Sequence, residues 1–497
     1  MNAKRTLSLC LLAALLLQAA ACGESSGAAD DTTVPSSPDD TTTAAQVSEY
    51  TVPNVDYGGK TITMTGYDYD ELWAILDYHV ALEEENGDVI NDAIVRRNRM
   101  VEEELNVSIE LIPLGKNDRN SAAILEKYIL AQEDTVQVGM QMTGGMSNLL
   151  ATEGMLVDLN DITTLDLSNS WWNQAANEEF TIYGKQLTAV GDMSFFNLGA
   201  PVVFFFSKNM VEENKLDNPY QLVYDGKWTF DTMEKMATQV ARDINGNGQV
   251  DNEDIFGFGS ERAAINTFYF ASGIRYSNRD SSGEIQLAIN TEKTVDVTTK
   301  AVQLLRDKNT TIYSQDWMTE YPTNVFAEFM MPKLAKGELL FFANQLHVAL
   351  SLRNAEYDFG VLPPPKYDEE QENYITFGNT AFCDQIVVPS TNTDLDMIGY
   401  FLEAMGYYAK QYITPAFIDV SVKGKVTRDE DSAKMIDLVY NSQIFDVGLT
   451  FNWGSLNSSL QAIVTNNNTP GFATQWASIE SSVQIALDKT KAMLKGE

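Results

Sequence analysis

Apolar and polar positions along this chain switch repeatedly between two periods. Residues 60–65 (KTITMT) alternate as a half-buried strand does, and Gly66 ends the run. Residues 89–105 (VINDAIVRRNRMVEEEL) carry apolar side chains at helical spacing on a charged background, and Asn106 breaks the pattern. Residues 107–112 (VSIELI) read as the next strand. Strand, helix, strand predicts a parallel βαβ unit. Strand-like runs follow at 136–142, 185–190 and 202–206, the first leading into Gly144-Gly145. A short amphipathic helix is expected over 231–240, with Thr229 in its N-cap region. Further on, strands are expected at 339–342, 357–362 and 385–388, then a helix over 395–409. The pattern is that of an α/β protein, and no tandem repeat interrupts it.

The length of 497 residues exceeds one ordinary domain and fits two lobes plus a tail. Hydrophobic residues make up 44% of the chain, enough for sizeable cores. The net charge is -36, and no Lys/Arg stripe interrupts the acidity. Phosphate backbones need concentrated positive charge, so a nucleic-acid partner is excluded. The balance suits a neutral ligand or a cation.

The N-terminus reads as an export signal. Lys4 and Arg5 precede a mostly apolar run at 7–17, too short to span a bilayer comfortably. Ala19, Ala20 and Ala21 then lead to Cys22. This resembles a bacterial lipoprotein signal, 1–21, cut before a cysteine that carries the lipid, although Ala19 stands where leucine is favoured. Ordinary secretion with cleavage near Ala21 is the alternative. Residues 23–48 are rich in Ser, Thr, Asp, Pro and Gly, so a flexible tether over 22–55 is expected. Cleavage removes two basic residues and no acid, which takes the charge from -36 to -38. Of three cysteines, Cys10 lies in the signal and Cys22 at the anchor. Only Cys383 remains, so no intramolecular disulfide forms. Lipidation would place the protein on the extracellular face of the cytoplasmic membrane, held by its anchor alone.

One stretch carries explicit chemistry. DINGNGQVDNED at 243–254 fits the twelve-residue EF-hand loop at nearly every position. Asp243, Asn245 and Asn247 supply oxygens at positions 1, 3 and 5. Gly248 permits the sharp turn, and Gln249 would offer its backbone carbonyl. Asp251 and Asp254 stand at positions 9 and 12. A hard Ca²⁺ ion needs six or more oxygens on a loop that can curl, and this spacing provides them. Position 12 is Asp, shorter than the usual Glu, and IFGFG rather than a helix follows. A bound ion would be structural, and a solvated Asn/Gly turn is the plain alternative. Catalytic patterns are poor. There are two histidines, His79 and His347, in unrelated contexts, and no nucleophile elbow, P-loop or zinc-helix motif.

Aromatic residues flank polar ones at Tyr67-Asp68-Tyr69, Trp171-Trp172-Asn173 and Trp453-Gly454-Ser455. Such pairings suit sugars, whose C–H faces stack and whose hydroxyls need donors and acceptors. They also suit ordinary core filling.

Several segments together resemble the family 1 extracellular solute-binding proteins, the maltose-binding-protein-like group. NMVEENKLDNPYQLV at 209–223, KWTFDTME at 227–234, GELLFF at 337–342 and FGVLPPPK at 359–366 match that family's segments in order. The order Lys208-Asn209 is a small departure. The resemblance covers about residues 60–460. It implies a two-lobed α/β periplasmic-binding-protein-like fold (type II) with the ligand cleft between lobes. Lobe 1 would comprise 56–190 and 381–440, and lobe 2 would comprise 191–380 and 441–497, with crossings near Asp192, Thr380 and Tyr440. The cleft would be lined by Tyr67, Asp68, Gly144, Gly145, Asp192, Asn344, Gln345 and Trp453, the last as a stacking aromatic. The implied function is capture of a carbohydrate by lobe closure, by a monomer that serves the permease of an ABC importer, without catalysis. A surface lipoprotein glycoside hydrolase is the competing reading, which needs two carboxylates facing each other about 5 to 9 Å apart across an aromatic cleft.

Overall fold

A computed structural model describes residues 50–66, 80–113, 121–352, 358–378, 383–426, 429–465 and 471–497. Cys22, the tether up to residue 49, Tyr67, Asp68, His79 and Thr380 lie outside the described residues. Residues 50–55, expected as the end of the flexible tether, instead dock on the body: Val52 and Val55 pack on an apolar cluster, and the Tyr50 ring lies 5.2 Å from that of Trp171.

Two open sheets organise the chain. The first has four strands in the order Asp384–Val387, Val138–Met142, Lys60–Gly66, Val107–Pro113. Its last three are mutually parallel, and Asp384–Val387 is antiparallel to its neighbour. The helix Val89–Leu105 supplies the expected crossover. Asp88 starts it by accepting the amides of Ile90 at 3.0 Å and Asn91 at 3.1 Å. Asn106 stops it with a left-handed φ of 47°. Its buried face packs on the helix Leu395–Pro415, which runs past the 395–409 of the sequence reading.

The second sheet has five strands in the order Thr311–Tyr313, Phe256–Ser260, Leu339–Gln345, Val202–Ser207, Phe359–Leu362. Val202–Ser207 is buried along its whole length. Phe204 and Phe206 enter one apolar cluster, whereas Val203 and Phe205 enter another. This two-sided burial is why the run VVFFFS is continuous rather than alternating. A Cβ on Gly257 would lie 2.0 Å from the Ala237 carbonyl oxygen, so only glycine lets this strand meet the helix Phe230–Val240.

The chain passes between the sheets three times, and the passages are stitched together. On the first, Ser194 Oγ donates to Asp384 Oδ2 at 2.6 Å, and Asn197 Nδ2 donates to the Asp384 carbonyl at 3.1 Å. Pro201 bridges Gly378, and Thr376–Phe377 pairs with Gln443–Ile444. The Tyr440 hydroxyl donates to the Leu198 carbonyl, which puts it at the first passage.

The third passage begins earlier than the sequence reading set it. The helix Glu430–Asn441, assigned there to lobe 1, is anchored on the second sheet's side. Lys208 Nζ bonds Asp429 at 2.5 Å, and the Ser432 and Tyr220 hydroxyls are 2.6 Å apart. The crossover thus falls at or just after the π-helix Ala416–Val426. The apolar spacing of Met435, Ile436 and Val439 could face either lobe, and only these long-range contacts choose. Among the described residues no helix is long and apolar enough to cross a membrane.

Candidate functional site

In open α/β sheets, ligands sit beyond the carboxyl ends of parallel strands. Phe256–Ser260 and Leu339–Gln345 are parallel and end side by side. A shallow recess, continuous with solvent, opens there. Ser260, Asn344 and Gln345 come from the strand ends. Asn266 and Thr267 come from the helix Ala264–Ala271, and Asn457 and Gln461 come from Leu456–Thr465. Phe377 and Leu449 add apolar surface. Among the described residues Glu261 is the one charged group in the lining, and no Lys or Arg contributes.

The carboxamides are organised. The Tyr276 hydroxyl donates to Asn266 Oδ1 at 2.6 Å, and Asn266 Nδ2 donates to Asn457 Oδ1 at 2.9 Å. Gln461 Nε2 donates to the same Asn457 oxygen at 3.1 Å. Asn344 Oδ1 accepts the Gln345 amide at 2.8 Å. Behind Leu449, Asp446 caps the helix Val447–Phe451 and accepts the Tyr276 amide at 2.9 Å. Burial, then the nearby charge of Glu179, pushes the Asp446 carboxyl up to about 7.

Asn344 and Gln345 therefore lie in one recess. Gly144 and Gly145 fall in the first turn of the helix Thr143–Leu150, at the carboxyl end of a first-sheet strand. Asp192 lies on the first passage, but its carboxylate is engaged. Oδ2 is 3.1 Å from Lys410 Nζ and accepts from Thr414 Oγ1 at 3.0 Å. Both partners stand on Leu395–Pro415, so Asp192 Oδ2 ties the passage to that helix.

Trp453 departs from the expectation. It is 2% exposed, its indole N–H donates to Thr490 Oγ1 at 3.0 Å, and its ring stacks on Phe451. The long C-terminal helix Phe472–Lys495 covers it. Next to Gly454 and Ser455 it reads as a loop aromatic. Those residues form a single 3₁₀ turn between two helices, closed over by that distant helix. Trp171 and Trp172 are likewise buried, and Trp172 Nε1 donates to Glu403 at 3.1 Å. Glu403 also accepts the Asp166 amide at 2.9 Å and Asn169 Nδ2 at 2.8 Å. Burial raises its carboxyl to about 7. His347 is packed, with burial lowering its ring to about 4.

The sequence reading missed Asn266, Asn457 and Gln461. Asn266 sits inside an apolar helix (AINTFYFA), and the i, i+4 spacing of Asn457 and Gln461 on the helix LNSSLQAIVT was the one available signal.

The EF-hand-like loop is folded back on itself. Asp243 accepts the amides of Gly246 at 2.6 Å and Gly248 at 2.7 Å, and both glycines have positive φ. Asn245 and Asn247 accept the amides two residues on, at 3.0 and 2.6 Å. Their Nδ2 groups converge on Asp251 Oδ2 at 3.0 and 2.7 Å. Asp254 is 5% exposed and accepts the Ile244 and Asp251 amides at 3.3 and 3.0 Å. The oxygens of Asp243, Asn245, Asn247 and Asp251 thus gather on one tight loop, the donor chemistry a hard cation takes. Among the described residues no group of three or more His, Cys, Asp or Glu side chains is arranged as a metal site.

No family model matches this chain, and no curated protein matches it. Solved structures do match it. An ABC substrate-binding protein from Listeria monocytogenes in complex with cycloalternan is 14% identical with a TM-score of 0.53, covering 88% of this chain and 99% of that one. Maltose-bound MalE3 of T. maritima is 15% identical with a TM-score of 0.53, over 87% and 99%. UgpB from Mycobacterium tuberculosis in complex with glycerophosphocholine is 15% identical with a TM-score of 0.54, over 80% and 95%. At such identities the likeness establishes the fold: two α/β lobes, as in these substrate-binding proteins.

Proposed function

We propose that this chain is the substrate-binding component of an ABC importer, which captures a carbohydrate between its lobes. One observation carries the reading. The recess at the strand ends joins carboxamides and hydroxyls to apolar surface, and among the described residues no Lys or Arg lines it. Neutral amides pair with hydroxyls in both directions, donating through nitrogen and accepting through oxygen. The shared fold with binding proteins crystallised with cycloalternan and maltose supports the same ligand class. A capture protein requires affinity without chemistry, and closure of two lobes hides the ligand and marks the loaded state. On this reading the protein works as a monomer that docks on its permease and turns nothing over.

Two further features belong to the proposal. Cys22 carries the lipid that holds the protein at the outer surface of the cytoplasmic membrane, and the polar tether lets the lobes reach the permease. Asp243, Asn245, Asn247, the Gln249 carbonyl, Asp251 and Asp254 hold a structural Ca²⁺.

A thermal-shift screen against mono- and oligosaccharides tests the function. A ligand that binds only the folded state raises Tm, by about 2.7 kcal/mol of stability at a hundredfold excess over Kd. A screen in which peptides shift Tm and no sugar does would refute the carbohydrate reading. Turnover of a bound sugar would refute the assignment as a binder.

A further inference from the structure

The polar wall of the recess has a fixed direction. Tyr276 is fully buried, and Asn266 Oδ1 is its hydroxyl's acceptor among the described residues. Burial raises its pKa well above the usual value, so the phenol keeps its proton. Turning the Asn266 amide around would leave that proton buried without an acceptor, which is costly. Asn266 therefore directs Nδ2 at Asn457 Oδ1, which also receives Gln461 Nε2. With its oxygen taken by two donors, Asn457 presents N–H groups to the recess. Gln461, having spent an N–H on Asn457, presents Oε1.

We propose that Tyr276 and Asn266 are positioning residues that set the donor–acceptor direction of Asn457 and Gln461, so that the recess selects a neutral hydroxyl. A hydroxyl accepts from Asn457 and donates to Gln461 with the same oxygen. A carboxylate oxygen accepts from Asn457 but meets the Gln461 oxygen with no hydrogen between them. Acidic sugars are thereby rejected. This inference rests on the carbohydrate reading above.

The test is calorimetry with maltose, maltotriose and raffinose as neutral probes and glucuronate as the acidic one. The wild type is expected to bind a neutral probe and not glucuronate. Asn266→Asp puts an acceptor-only carboxylate beside Tyr276, which turns the Asn457 amide around. Affinity for the neutral probe should fall roughly tenfold at pH 7.5, equivalent to about 1.4 kcal/mol. It should recover as pH falls to about 3.5, below the roughly 3.9 of an ordinary aspartate, as the new carboxyl gains a proton it can donate to Asn457. Tyr276→Phe should lose affinity at both pH values without recovery. Circular dichroism reports whether each variant is folded, and Tyr276→Phe decides if Asn266→Asp is not. Folded variants that bind within roughly twofold of wild type at both pH values would overturn the positioning role. So would a loss in folded Asn266→Asp that persists at about pH 3.5 where the wild type still binds, since a purely structural defect has no reason to reverse. Failure of the wild type to bind any neutral probe would instead remove the carbohydrate reading and this inference with it.

Discussion

Replacing Trp453 with alanine removes the whole indole from a site that is 2% exposed. The loss has two parts. Truncating a buried Trp to Ala costs about 3 to 5 kcal/mol, from lost transfer energy and the cavity left behind. The hydrogen bond from the indole to Thr490 contributes on the order of another 1 kcal/mol, partly offset because the hydroxyl still bonds the Ala486 carbonyl at 3.0 Å. A net loss near 4 kcal/mol lowers Tm by roughly 10 °C for a folding unit of lobe size. The cavity cannot collapse easily, because a Cβ on Gly454 would already lie 2.8 Å from the Val483 backbone nitrogen. Paired melting curves and titration calorimetry with a bound sugar check the outcome. Tm should fall while Kd in the folded fraction stays unchanged. A variant with the wild-type Tm and a Kd raised tenfold or more would refute the argument, since it would put the indole against ligand.

Glu403 is expected to make stability depend on pH. Its carboxyl is raised from 4.5 to about 7 in the folded protein, so the folded state holds more proton than the unfolded state between those values. Its contribution to stability should therefore fall as pH rises from about 4.5 to 7, by up to about 3 kcal/mol, and Glu403→Gln should make that part of the profile shallower, leaving the share that Asp446 contributes. Denaturation midpoints across that range that match in both proteins would contradict this. Chelator should lower Tm, and Asp243→Ala should abolish the sensitivity; identical melting curves with and without chelator would count against a bound ion. Cys22→Ser should release the protein from the membrane fraction, and a wild type already free in the medium without proteolysis would end the anchor proposal.

Much of the architecture is legible in the chain itself. The helix Val89–Leu105 follows from its apolar spacing, its Asp88 cap and the left-handed Asn106. The strands at 60–66, 107–113 and 202–207 follow from local apolar pattern, and the Asn and Gly residues at 243–254 fold that loop by bonds to near neighbours. These features depend on residues within a few positions of one another, so periodicity and capping suffice to find them. The five-stranded order of the second sheet, the earlier third passage and the burial of Trp453 depend on segments far apart in the chain. Tyr220 meets Ser432, and Thr490 meets Trp453. The recess belongs to the same class: Asn344 was legible because it ends a strand, but Asn266 and Asn457 are 191 positions apart and become one wall only when folding brings their helices together. Local sequence determines which groups can donate and accept. Which atoms they present to a ligand is decided by the partners that tertiary packing places behind them, because a carboxamide turned by a buried hydroxyl shows the opposite face to the cleft.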